Sequence, residues 1–151
     1  MSRHGLLVVL VAVFLTAAAP RTDAQQSRRY LAPRTATDAT LPPFSGAVQV
    51  GKTLYLSGEI GLDANNHIPD TPEAEATLLL NRIQNTLKEA GFTMDDLVTV
   101  TVYCSDVKHY DSFNKVYRTY FKKEFPARAF IGAGTLLFNA RFEMQGIAVK
   151  R

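Results

Sequence analysis

The stretch from Leu97 to Cys104 constrains the fold more than any other part of the sequence. Val alternates there with Thr or Tyr, the two-residue period of a strand with one buried face. Helical spacing flanks it on both sides. Before it, Ala76, Leu79, Leu80, Ile83 and Leu87 form a single apolar stripe. Thr71 suits the N-cap of that helix and Pro72 its first turn. Glu73 and Glu75 suit its positive end, and Gly91 its stop. After the strand, Phe113, Val116, Tyr117, Tyr120 and Phe121 make a second stripe. Asp106 or Asp111 could cap this helix, and Pro126 forbids its continuation.

Four more strands complete the pattern. Residues 44–50 and 53–60 flank Gly51-Lys52, a turn candidate, and make a hairpin. Within the second of these, alternation puts Tyr55, Ser57 and Glu59 on one face and Leu54 and Leu56 on the other. Residues 127–133 and 141–149 read as the last two strands, and 63–70 as a polar loop. The order is β-β-α-β-α-β-β, an α+β arrangement with two helices packed on one face of a sheet. The other face carries Val and aromatic residues and must also be hidden, so self-association is expected.

The chain is 46% apolar and 21% charged, which suits one packed domain rather than disorder. The expected division is a signal peptide at 1–24, a mobile N-terminal arm at 25–43 and the folded domain at 44–151. Arg3 and His4 lead into the apolar run Leu6 to Leu15, which is short for a bilayer-spanning helix. Cleavage fits after Ala24, or at Ala17 to Ala19. The competing reading is a retained membrane anchor. With cleavage, the protein is periplasmic or secreted and keeps no stable membrane association. The formal net charge is +3. Residues 1–24 carry Arg3, Arg21 and Asp23, so the remainder is close to balance. It offers no basic, aromatic-lined track for a nucleic acid. Cys104 is the single cysteine, which excludes an intrachain disulfide and reads as a buried structural thiol. His67 and His109 stand apart, and no ligand spacing for a metal occurs.

Two charged residues sit where strands should be apolar. Arg128 follows Phe125-Pro126-Ala127 and enters an apolar strand. A buried guanidinium needs an anionic partner, either a carboxylate of the protein or one of a ligand. Glu143 lies mid-strand between Phe142 and Met144, with Arg141 and Gln145 on its parity. It is either a surface ion-pair member, with Arg141 or a cross-strand residue, or an acid–base group at a polar cavity.

The residues together resemble a known family. Pro43-Phe44-Ser45 with Ala47-Val48, and Leu54-Tyr55-Leu56-Ser57-Gly58-Glu59-Ile60-Gly61, look like the first hairpin of Rid (YjgF) proteins. Asn114 with Tyr117, Phe125-Pro126-Ala127-Arg128, Arg141-Phe142-Glu143-Met144 and Gly146-Ile147-Ala148-Val149 resemble its later signatures. The resemblance implies a chorismate-mutase-like α+β fold assembled as a homotrimer with clefts between subunits. It implies hydrolysis of reactive imines and enamines, such as 2-aminoacrylate, to 2-oxo acids and ammonia, without metal or cofactor. By matching position Arg128 would bind the substrate carboxylate and Glu143 would activate water. Phe44, Ser57, Asn114 and Phe130 would line or support the cleft. Phe44 stands where many deaminases have Tyr, Gly46 where Gln is common, and Phe130 where well-known members have Cys. These departures leave room for a different substrate or for binding without turnover. Older names in the family add ribonuclease activity as a further alternative.

Overall fold

A computed structural model of the chain describes residues 27–32, 40 and 42–151. The expected signal peptide and most of the expected arm lie outside the described residues. Among the described residues the strands are β1 (Arg28–Leu31), β2 (Ala47–Val50), β3 (Thr53–Ile60), β4 (Leu97–Cys104), β5 (Ala127–Gly132) and β6 (Phe142–Val149). The helices are α1 (Pro72–Glu89) and α2 (Tyr110–Tyr117). The strands form one mixed sheet in the order β1-β2-β3-β6-β4-β5. Only β4 and β5 are parallel, and α2 lies in the connection between them.

Both helices cover one face. Leu79, Leu80, Ile83 and Leu87 of α1 and Phe113 of α2 are fully buried with Leu54, Val102, Phe142, Met144 and Ala148 of the sheet. The Thr71 hydroxyl accepts from the Ala74 amide at 3.2 Å, closing the N-terminus of α1 as expected. Gly51 turns the β2–β3 hairpin at a φ of 57°, where a Cβ would be strained. Cys104 is buried and its thiol donates to the Asp106 carbonyl at 3.0 Å. Burial pushes that thiol's pKa up, which keeps it in the protonated, unreactive form. On the uncovered face Tyr55, Ile131 and Val149 remain exposed and Ile147 half-buried.

Several expectations change. Residues 28–31, expected in a mobile arm, form β1 and pair antiparallel with β2, burying Leu31. Residues 44–46 precede β2 rather than belonging to it. Arg141 lies just before β6, and Ala133 just after β5. The strand carrying Arg128 is not buried: β5 is the sheet edge, and its side chains are half-buried or exposed. The second helix ends at Tyr117 and continues only as a 3₁₀ turn, Arg118–Tyr120. Asp106 caps the turn leading into α2 through the Lys108 amide at 3.0 Å, not α2 itself. Two bulges also break strand parity. Three residues of β3 from Leu56 to Glu59 span two of β6, so Glu59 pairs with Met144 and joins the helix-covered face, away from Tyr55 and Ser57. A second bulge between Leu97 and Thr99 leaves Val98 exposed.

Candidate functional site

Arg128 lies opposite Val100 in the parallel β4–β5 ladder, which aims it at the helix-covered side. Three aromatic rings surround its guanidinium carbon: Tyr117 at 4.8 Å, Phe130 at 5.6 Å and Tyr110 at 5.8 Å, measured to the ring centroids. Phe130 shares the strand face of Arg128, as strand alternation predicts, and packs edge-on against Tyr110. The rings attract the cation but accept none of its hydrogen bonds in the plane of the guanidinium. Arg128 Nη1 is buried with no hydrogen-bond partner among the described residues, and so is Tyr117 Oη. Burial pushes the Tyr117 hydroxyl up to about 12, against the pull of the Arg128 charge. It therefore stays protonated at neutral pH and remains a donor. Asn114, Tyr117, Arg118, Phe125, Pro126 and Arg128 line a cavity of about 280 Å³. Its walls are set by the last turn of α2 and by Pro126, which turns the chain into β5. Two unsatisfied donors beside one cavity are costly unless a ligand or a partner completes them.

Glu143 projects the other way. It is opposite Tyr103 in β4 and Ile60 in β3, on the face away from the helices. Its carboxylate meets no ion pair or hydrogen bond among the described residues. The expected alternative, pairing with Arg141, does not occur. Arg141 instead donates to Glu75 Oε2 at 2.8 Å and to the carbonyls of Pro69 and Asp70 at 2.8 and 2.9 Å. Glu75, expected to serve the positive end of α1, is fully buried and also accepts from the amides of Arg141 and Phe142 at 2.6 and 2.9 Å. This clamp fixes the start of β6 two residues before Glu143.

Gly58 makes the seat of Glu143, since a Cβ there would overlap Glu143 Oε1. The bulge at Ser57-Gly58 is thus where β3 yields room for a carboxylate. The Ser57 hydroxyl donates to the Ser45 carbonyl at 2.6 Å and its amide to the Gly46 carbonyl at 3.1 Å. Ser57 therefore supports the segment bearing Phe44. A cavity of about 540 Å³ opens in front of Glu143, with Phe44, Ser57, Gly58, Leu137 and Phe138 among its lining. Glu59 and Arg82 also reach it. Burial pushes the Glu59 carboxyl above its ordinary range, and the Arg82 charge partly offsets this.

The structure thus gathers the six expected residues into two groups. Arg128, Phe130 and Asn114 lie on the helix side at the sheet edge, and Phe44, Ser57 and Glu143 at the other cavity. Tyr117, Gly58 and Glu75 were not expected as site-forming residues. Glu75 was nevertheless readable, because helical spacing places it on the stripe of Leu79 and Ile83. No group of three or more His, Cys, Asp or Glu side chains able to hold a metal occurs among the described residues.

The model of the endoribonuclease L-PSP family matches residues 35–150. The chain belongs to this family. It is the family also called Rid or YjgF, so the resemblance read from the hairpin and the Phe125-Pro126-Ala127-Arg128 segment holds. The 2-iminobutanoate/2-iminopropanoate deaminase of Mus musculus is 36% identical over 118 residues, covering 77% of this chain and 87% of its own. A Thermotoga maritima structure superposes with a TM-score of 0.73 at 32% identity, covering 82% of this chain and 98% of that one. RidA from the Antarctic bacterium Psychrobacter sp. gives a TM-score of 0.69 at 26% identity, covering 79% and 94%. The α+β architecture with two helices on one sheet face is therefore that of Rid proteins.

Proposed function

We propose that this Rid-family chain is a metal-free imine deaminase, hydrolysing 2-imino acids and their enamine tautomers to 2-oxo acids and ammonia. One observation carries the reading. Arg128 and Glu143 each face a cavity without an oppositely charged partner among the described residues, yet they project from opposite faces of the same sheet. One chain cannot bring both to one small substrate, so the site is completed by a second copy. A homotrimer with clefts between subunits, the assembly implied by the family resemblance, meets that need and hides the exposed Tyr55, Ile131 and Val149.

In such a cleft Arg128 of one copy grips the substrate carboxylate, and Tyr117 adds a neutral hydroxyl donor. Glu143 of the next copy takes a proton from water, whose oxygen attacks the imine carbon. The carbon–nitrogen double bond becomes single and the nitrogen is protonated. The resulting carbinolamine then collapses. Its hydroxyl proton passes to the nitrogen as the C–N bond breaks, so ammonia leaves and the 2-oxo acid forms. Orientation by Arg128 and one activated water supply the catalysis, since the imine carbon is already electrophilic. The aromatic packing of Phe130 on Arg128 favours a second reading, binding of small carboxylates without turnover.

Ammonia release from imino acids made in situ by an amino-acid oxidase tests the proposal. Arg128→Ala lowers kcat/KM by at least about 30-fold, since truncating a buried charged partner costs about 2–5 kcal/mol. Glu143→Gln lowers kcat by about 10²–10⁴-fold. Wild-type protein no faster than buffer, but binding 2-oxo acids in a calorimeter, selects the binding reading instead. The proposal includes export, supported by the apolar run Leu6 to Leu15 and the small residues after it. N-terminal sequencing of the protein recovered outside the cytoplasm checks it, with cleavage near Ala24 expected and an intact Met1 contradicting it.

A further inference from the structure

The walls of the Glu143 cavity carry more apolar surface than a small imino acid needs. Phe44 is 54% exposed, Leu137 69% and Phe138 64%, and all three line that cavity. Single apolar side chains left this open are ordinary, but several that surround one charged group are informative. The Leu137–Asn139 turn is also conformationally expensive. Phe138 and Asn139 have φ of 58° and 57°, in the left-handed region that a bulky aromatic residue rarely enters. Strain of this kind persists only where its surroundings hold it, and it concentrates at ligand sites. Here the surroundings do hold it. The Asn139 amide donates to Leu136 and the Ala140 amide to Leu137, at 3.2 and 3.0 Å. Ala140 is buried, and the next residue is the clamped Arg141. The turn therefore holds Leu137 and Phe138 as a fixed ridge in the lining that they share with Phe44.

Resting on the deaminase reading, we propose that this cavity is a side-chain pocket for 2-imino acids with large apolar side chains, branched or aromatic. Leu137 and Phe138 are its specificity-determining residues. On a single chain the cavity measures about 540 Å³, before a second copy closes the cleft. A methyl side chain would leave most of the ridge wet. An isobutyl or benzyl group would cover it. Each methylene placed in an apolar pocket shifts kcat/KM by about 10- to 200-fold, so the preference is large enough to measure.

The experiment compares imino acids generated in situ from leucine, phenylalanine and alanine. It uses wild type, Leu137→Ala and Phe138→Ala, and reads the ratio of kcat/KM for the large substrates to that for the alanine-derived one. Wild type prefers the large substrates by about tenfold or more, and each variant lowers that ratio by about tenfold. An unchanged ratio in both variants overturns the proposal. So does a variant whose assembly state changes in sedimentation while its ratio does not, because the ridge would then be a subunit contact. If wild type deaminates nothing, the deaminase reading fails separately. Calorimetry then decides the pocket: tighter binding of 4-methyl-2-oxopentanoate than of pyruvate, lost in Phe138→Ala, upholds it, and equal binding overturns it.

Discussion

At the scale of single residues, the site depends on atoms that lack partners and on one residue that lacks a side chain. Arg128 Nη1 and Tyr117 Oη are buried donors with nothing to donate to among the described residues. Arg128 itself was visible in the sequence, because a guanidinium entering a strand demands an anion. Tyr117 was not separable from its stripe, since its ring packs with Phe113 and Phe121 as any core aromatic would. Gly58 is the more telling case. Its role rests on the space that Glu143 Oε1 occupies, which no spacing rule reveals. Gly58→Ala forces the carboxylate to move, and a displacement of about 1 Å can cost about 10²-fold in rate. The expected result is a kcat loss of that order with a thermal midpoint within a few degrees of wild type. Wild-type kcat in Gly58→Ala would show that Glu143 does not need its present seat.

At the scale of elements, regular structure was legible and its interruptions were not. β3 and β4 begin and end where alternation places them, and α1 starts at the cap that Thr71 and Pro72 announce. These signals are local, so the chain carries them without its partners. β1 escaped because four residues with one buried side chain, Leu31, produce no period. The bulges in β3 and β4 escaped because a bulge exists only relative to the neighbouring strand. That one extra residue moves Glu59 to the opposite face from the expected one. The link between elements that matters most is the buried carboxylate of Glu75, which joins α1 to the start of β6 and to the loop at Pro69 and Asp70. Glu75→Ala takes the carboxylate from the Arg141 guanidinium, which keeps only the Pro69 and Asp70 carbonyls, and leaves the amides of Arg141 and Phe142 without their acceptor. Breaking such a pair costs about 3–5 kcal/mol, so chemical denaturation should show a loss of that size. A loss below about 1 kcal/mol would mean that water replaces the carboxylate and that the clamp is not structural.

At the scale of the whole molecule, the sheet separates the two charged residues that the sequence had placed in one mechanism. Their opposition follows from register: Arg128 pairs with buried Val100, and Glu143 with Tyr103 on the uncovered face. Alternation within each strand could show which neighbours share a face. It could not show how β5 and β6 align through β4. On the proposed reading a second copy completes the site; in the sequence this was legible from an uncovered sheet face and from the family resemblance, and the register adds a chemical reason. The central claim is that each site joins Arg128 of one copy to Glu143 of another. Its most direct test mixes Arg128→Ala and Glu143→Gln proteins, each nearly inactive alone, after unfolding and refolding them together in equal amounts. Random assembly gives interfaces of which about one in four pairs an intact Arg128 with an intact Glu143. Recovery of about a quarter of wild-type deaminase activity is expected. A refolded mixture no more active than its two parents would contradict it.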